Sequence, residues 1–104
     1  MATVIFYVND DSTIPVKDYL DYLKKYNRKN FYFIAFKLLY ISKNHQNFSH
    51  FLIHRVSKSI YVLKYKESNI FLGKVNNVFY LLHAYSGKLN KDNVQIAVKR
   101  YKNI

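Results

Sequence analysis

The stretch SIYVLKYKESNIFLGKVNNVFYLLHAY, residues 59–85, decides the fold. Apolar and polar residues alternate along it with a period near two, the period of strands rather than helices. Ser59 to Lys66 places Tyr61, Leu63 and Tyr65 on one face and Ile60, Val62, Lys64 and Lys66 on the other. Glu67-Ser68-Asn69 punctuates the run, Ile70 to Val75 resumes it, and Asn76-Asn77 interrupts it again before Val78 to Tyr85. An Asn-Asn pair tolerates the positive φ that a tight hairpin turn requires. Strands joined by turns this short pair antiparallel. Phe51 to Val56 reads as a further short strand ahead of them, after a polar loop from Ser42 to Ser49.

Toward the N-terminus, Thr3 to Val8 is a β-branched and aromatic run closed by Asn9-Asp10-Asp11, hence a strand and a turn. A helix follows, with Ser12 or Thr13 as its cap and Pro15 in the first turn, where a missing N–H is tolerated. Val16, Leu20 and Leu23 recur at helical spacing, and Tyr19, Tyr22 and Tyr26 widen the stripe. The pattern breaks around Asn27 to Asn30. A second helix then carries Phe31, Ile34, Ala35, Leu38 and Leu39 as its core-facing side. Two helices with a short link read as an antiparallel hairpin. Beyond the strands, Gly87 to Asn90 is a loop, and a last helix from about Lys91 to Tyr101 buries Val94, Ala97, Val98 and Tyr101. The expected fold is α+β: an N-terminal strand, an antiparallel helix hairpin, a three- to four-stranded antiparallel sheet and a short C-terminal helix. The helices are expected to cover one sheet face.

The 104 residues suit one domain and leave no room for two. Half of them are hydrophobic and 18% aromatic, enough material for a core held by packing, since cysteine is absent. The longest apolar stretch, Phe31 to Ile41, is broken by Lys37 and reads as an amphipathic helix, so no membrane association is expected. The N-terminus lacks the basic start of a signal peptide, which makes the cytoplasm the expected location.

The formal net charge is +11, unevenly distributed. Residues 1–23 carry four acids and one base, or −3; residues 24–104 carry sixteen bases and two acids, or +14. Such an imbalance in a folded chain favours polyanions, and RNA is the expected partner. A genome rich in A and T would also enrich Lys, Asn, Ile, Tyr and Phe. It accounts less well for the scarcity of compensating acids.

Several segments together resemble the RelE/HigB-type toxins of bacterial toxin–antitoxin systems, in particular the phage-associated HigB-like branch. They are VIFYVNDDSTIPVKDYLDYL at residues 4–23, HRVSKSIYVLKY at 54–65, FYLLHAYSGK at 79–88 and VQIAVKR at 94–100. The resemblance implies a RelE-like fold and a ribosome-dependent endoribonuclease that cuts mRNA in the decoding site. It also implies a cognate antitoxin; a small helix-turn-helix protein encoded alongside would favour this reading. The chemistry implied is attack by the ribose 2′-hydroxyl on the adjacent phosphate, metal-independent and without a cofactor, with cations stabilising the phosphate charge. The chain differs from the branch in having Lys64 in place of an arginine, Ser68 and Asn69 where another arginine is found, and Gly87-Lys88 for a Lys-Lys pair. Lysine keeps the charge but lacks the two-pronged grip of a guanidinium.

The candidate catalytic residues are then Lys64, Lys88 and Lys91 as phosphate-binding cations and His83 as a proton-transfer group. Arg55, Lys58, Lys74 and Tyr85 are candidate RNA-binding residues, Tyr85 by stacking on a base. Each has a plainer reading. Lys64 would be a solvated strand lysine, Lys88 and Lys91 loop lysines, Tyr85 a packing residue. His83, in phase with Phe79, Leu81 and Tyr85, would be a core histidine with a satisfied nitrogen. Lys99, Arg100 and Lys102 suit a helix C-terminus. His45, His50 and His54 lack acidic partners and are not expected to bind metal. The alternative function is a catalytically degenerate relative that binds RNA, the ribosome or a protein; a structural protein whose charge reflects genome bias is a third.

Overall fold

The computed structural model describes residues 3–43 and 53–104. In chain order they form β1 (Thr3–Phe6), α1 (Pro15–Tyr26), α2 (Arg28–Lys43), β2 (Ile53–Ser57), β3 (Ile60–Tyr65), β4 (Ser68–Val75), β5 (Val78–Ser86) and α3 (Lys91–Lys102). The five strands make one mixed sheet in the order β1-β5-β4-β3-β2. β2 to β5 pair antiparallel in sequence, and β1 joins β5 in parallel, so the helix pair forms the crossover between β1 and the rest. The expected α+β layout is the observed one.

The helices do not share a face. Val16, Leu20 and Leu23 of α1 and Ile34, Leu38 and Ile41 of α2 pack on Leu63, Ile70, Leu72, Phe79 and Leu81. The opposite face packs α3 through Ala97 against Ile60, Val62, Phe71 and Leu82, with Val94, Val98 and Tyr101 half-buried around them. The expectation of one covered face fails because α3 carries its own apolar stripe, and the second sheet face is apolar enough to receive it.

Local departures have identifiable causes. The α1 cap is Ile14, not Ser12 or Thr13. The Thr13 hydroxyl is used inside the preceding turn, donating to Asp11 Oδ1 at 2.6 Å and accepting from Asn9 Nδ2 at 3.0 Å. The break between the helices is the single residue Asn27, whose Oδ1 accepts from the Asn30 backbone N–H. On α2, Ile41 is buried and Leu39 exposed, because the helix continues through Ser42 and Lys43 and its stripe runs 34, 38, 41. The remainder of the expected loop, like Phe51 and the histidines His45 and His50, lies outside the described residues.

Ser68 and Asn69, expected in a turn, open β4 and are buried. Their polar groups are satisfied: Tyr19 OH joins Ser68 Oγ at 2.6 Å and Ser86 Oγ at 2.7 Å, tying α1 to the ends of β4 and β5. The turn is Lys66–Glu67, with Lys66 at φ 53°. Asn76 has φ 54°, the positive φ expected of the hairpin.

Candidate functional site

Antiparallel partners share a face, so the register places side chains across the strands. On the α3 side one row runs Lys64, Asn69, Tyr85 and the next Val62, Phe71, His83. His83 reaches this face through a bulge: Phe71 pairs with His83 while Leu72 pairs with Leu81, leaving Leu82 as an extra residue of β5. Phe79 and Leu81 point to the helix pair, whereas His83 and Tyr85 point the other way. The in-phase grouping of His83 with Phe79 and Leu81 is therefore corrected by one inserted residue.

Lys64 Nζ donates to Asn69 Oδ1 at 3.0 Å. Asn69 is 1% exposed, and its amide donates to the carbonyls of Gly87 at 2.8 Å and Glu67 at 3.3 Å. One buried amide thus holds both the lysine and the start of the β5–α3 loop. Tyr85 OH donates to the Lys88 carbonyl at 2.9 Å and accepts from the Asn90 N–H at 3.2 Å, clamping that loop over the row. Asn90 caps α3 by accepting from the Asn93 N–H at 2.9 Å, and Lys91 is the first helical residue. Lys64, Tyr85 and the backbone that carries Lys88 and Lys91 therefore gather at one end of the sheet.

His83 has both ring nitrogens engaged. Arg100 on α3 donates through one Nη to the Leu82 carbonyl at 3.0 Å and to His83 Nδ1 at 3.1 Å. An arginine can only donate, so Nδ1 is the acceptor and the proton resides on Nε2, which donates to Asn93 Oδ1 at 2.6 Å. The His83 pKa is lowered, chiefly by burial; the Asn93 contact opposes this and the Arg100 charge adds to it. Burial likewise pulls the Arg100 pKa down. At neutral pH His83 is a neutral, fixed ring stacked beside Phe71 and Tyr85 at 5.8 and 5.6 Å.

The other candidates lie elsewhere. Arg55 is opposite Tyr61, on the helix-pair side, and its guanidinium donates to the carbonyls of Ser57 and Lys58, closing its own turn. Lys58 belongs to that β2–β3 turn, where the Lys74 N–H meets the Ser59 carbonyl, at the far end of the sheet. Lys74 is opposite Phe79, with its ammonium 5.8 Å from that ring. These three are not part of the Lys64 row, because strand alternation and strand length send them to another face or end.

Asn69, Asn93 and Arg100 were not singled out by the sequence as site residues. Asn90 and Asn93 do have the spacing of a cap and its third helical residue. Asn93 and Arg100, seven apart, share a helix face with Ala97. Asn69 has no local signal; its role comes from strands brought together. Among the described residues no group of three or more histidines and carboxylates stands together to hold a metal ion. No helix among them is long and apolar enough to cross a membrane. Compared with models of known families and with curated proteins, the chain gives no match.

Proposed function

We propose that the chain is an RNA-directed toxin of the RelE/HigB type, which cleaves translated mRNA on the ribosome. The observation that carries this reading is the convergence of Lys64, Tyr85 and the loop bearing Lys88 and Lys91 at one end of the sheet. The N-terminus of α3, capped by Asn90, opens at the same place, and the helix dipole adds positive potential there. In the reaction the ribose 2′-oxygen attacks phosphorus and the bond to the 5′-oxygen breaks. The products are a 2′,3′-cyclic phosphate and a 5′-hydroxyl, with one proton leaving the 2′-hydroxyl and one reaching the 5′-oxygen. Lys64, held by Asn69, Lys88 and Lys91 stabilise the phosphorane charge. His83, with both nitrogens occupied, orients α3 and the Tyr85 row rather than carrying the proton.

Tightly controlled expression should arrest growth and generate mRNA 5′ ends inside translated codons. Lys64→Ala should relieve the arrest while leaving the protein folded. Normal growth with intact transcripts would count against the reading. The occupied His83 ring favours a second one, a catalytically degenerate relative that binds RNA, the ribosome or a protein partner without cutting. Under that reading Lys64→Ala alone changes no phenotype, and only removal of Lys64, Lys88 and Lys91 together abolishes binding. A cognate antitoxin and a cytoplasmic setting belong to the first proposal.

A further inference from the structure

On the β1 side of α3, the turn after β1 and the flank of the helix border a cleft of about 510 Å3. Its lining includes Tyr7, Asp10, Asp11, Lys99 and Arg100. Two carboxylates and two cations thus line one space, yet among the described residues no ion pair joins them. The groups are also partly spent. Asp11 Oδ1 accepts from both the N–H and the hydroxyl of Thr13, which fixes that carboxylate and holds its pKa below the usual range. One Nη of Arg100 is taken by Leu82 and His83. Within the described residues this leaves the Asp10 carboxylate, the remaining edge of the Arg100 guanidinium and the Lys99 ammonium without a hydrogen bond, while the Tyr7 phenol is near enough to Arg100 to interact with its charge.

We propose that this cleft binds a guanine base. Separated, unpaired groups of opposite sign suit a ligand with paired donors on one edge and paired acceptors on another. Guanine presents N1–H and the N2 amino group side by side, matching the two oxygens of Asp10. It presents O6 and N7 side by side, matching an arginine fork. Adenine offers a donor where O6 would be, and an acceptor toward the carboxylate. Uracil and cytosine lack the double pair. The half-buried Tyr7 ring supplies a stacking surface, and Lys99 stands at the rim, where a phosphate would lie. The cleft volume is within the range of small-ligand sites. The base could come from free nucleotide or from RNA; only the RNA source rests on the function proposed above.

The test is an NMR titration of the isotope-labelled full chain with GMP and with AMP. The expected result is perturbation of Tyr7, Asp10, Asp11 and Arg100 signals and at least tenfold tighter binding of GMP. Asp10→Asn, in an exposed turn, should erase that preference, because its amide presents a donor to guanine's donors. Arg100→Lys should weaken GMP although it keeps the charge; folding is checked by the amide spectrum, and the Asp10 variant decides if it fails. Perturbations confined to other parts of the chain would overturn the proposal. Short single-stranded RNAs with and without one guanine form the second arm. A tenfold preference there identifies a base within a strand; a preference confined to GMP identifies a mononucleotide; no preference in either arm overturns the site. Lys64→Ala should lower general RNA affinity and leave the GMP to AMP ratio unchanged, so failure of the RNA reading and failure of the cleft are distinguishable.

Discussion

Two polar side chains, the buried Asn69 and the half-buried His83, carry much of what is specific here. Asn69 meets a lysine and two loop carbonyls. Asn69→Ala should remove these part-buried bonds together and destabilise the fold by about 1–3 kcal/mol, read as a lower urea midpoint. It should also release Lys64 and loosen the loop at Gly87. His83 gives a pH signature. Its folded pKa is depressed from the ordinary 6.5, so below that value the unfolded chain takes up a proton before the folded one does. Stability contributed by the neutral ring is complete above about pH 6.5 and is lost as pH falls toward the folded pKa. Thermal melts of the wild type should therefore decline between about pH 7 and pH 5 more steeply than those of His83→Gln. A parallel decline in both would refute the assignment.

At the level of elements, α3 is the helix least secured by burial, with Ala97 its one buried residue. It is secured instead by contacts at both ends: Asn90, Asn93 and Arg100 toward β5, and Tyr101 OH donating to the Lys74 carbonyl at 2.9 Å. Gly73 lies directly beneath it. A Cβ there would come within 2.5 Å of the Tyr101 ring and 2.9 Å of a Leu82 methyl. Because the Tyr101 hydroxyl is anchored, the ring cannot swing aside without losing its bond. Gly73→Ala should destabilise by about 1–3 kcal/mol, measured by chemical denaturation, and increase hydrogen exchange in α3 before that in α1 and α2. The bulge at Leu82 belongs to the same scale, since it points His83 at α3 instead of at the helix pair.

Over the whole molecule, a charge of +11 makes polyanion binding depend steeply on salt. Affinity for single-stranded RNA should fall on a log–log plot with a slope of about −0.7 per phosphate contact. Replacing Lys64, Lys88 and Lys91 with alanine should make that slope shallower by about 2, read by fluorescence anisotropy. Replacing Arg55, Lys58 and Lys74 removes as much charge from other surfaces and should change it far less. Equal effects of the two triple variants would mean that RNA follows net charge and not a site.

Period-two runs in residues 59–85, helical stripes such as Val16-Leu20-Leu23 and turn residues such as Asn76 were enough to determine the elements and their order. Those are local properties: each follows from a residue's neighbours and backbone preferences. Which face each helix covers was decided only by packing, because an apolar stripe does not say which side of a sheet will receive it. The roles of Asn69, Asn93 and Arg100 likewise required strands and a helix far apart in sequence to meet. The side of the sheet that His83 occupies hinged on a single extra residue in β5, and alternation along one strand carries no record of a slip in pairing with another.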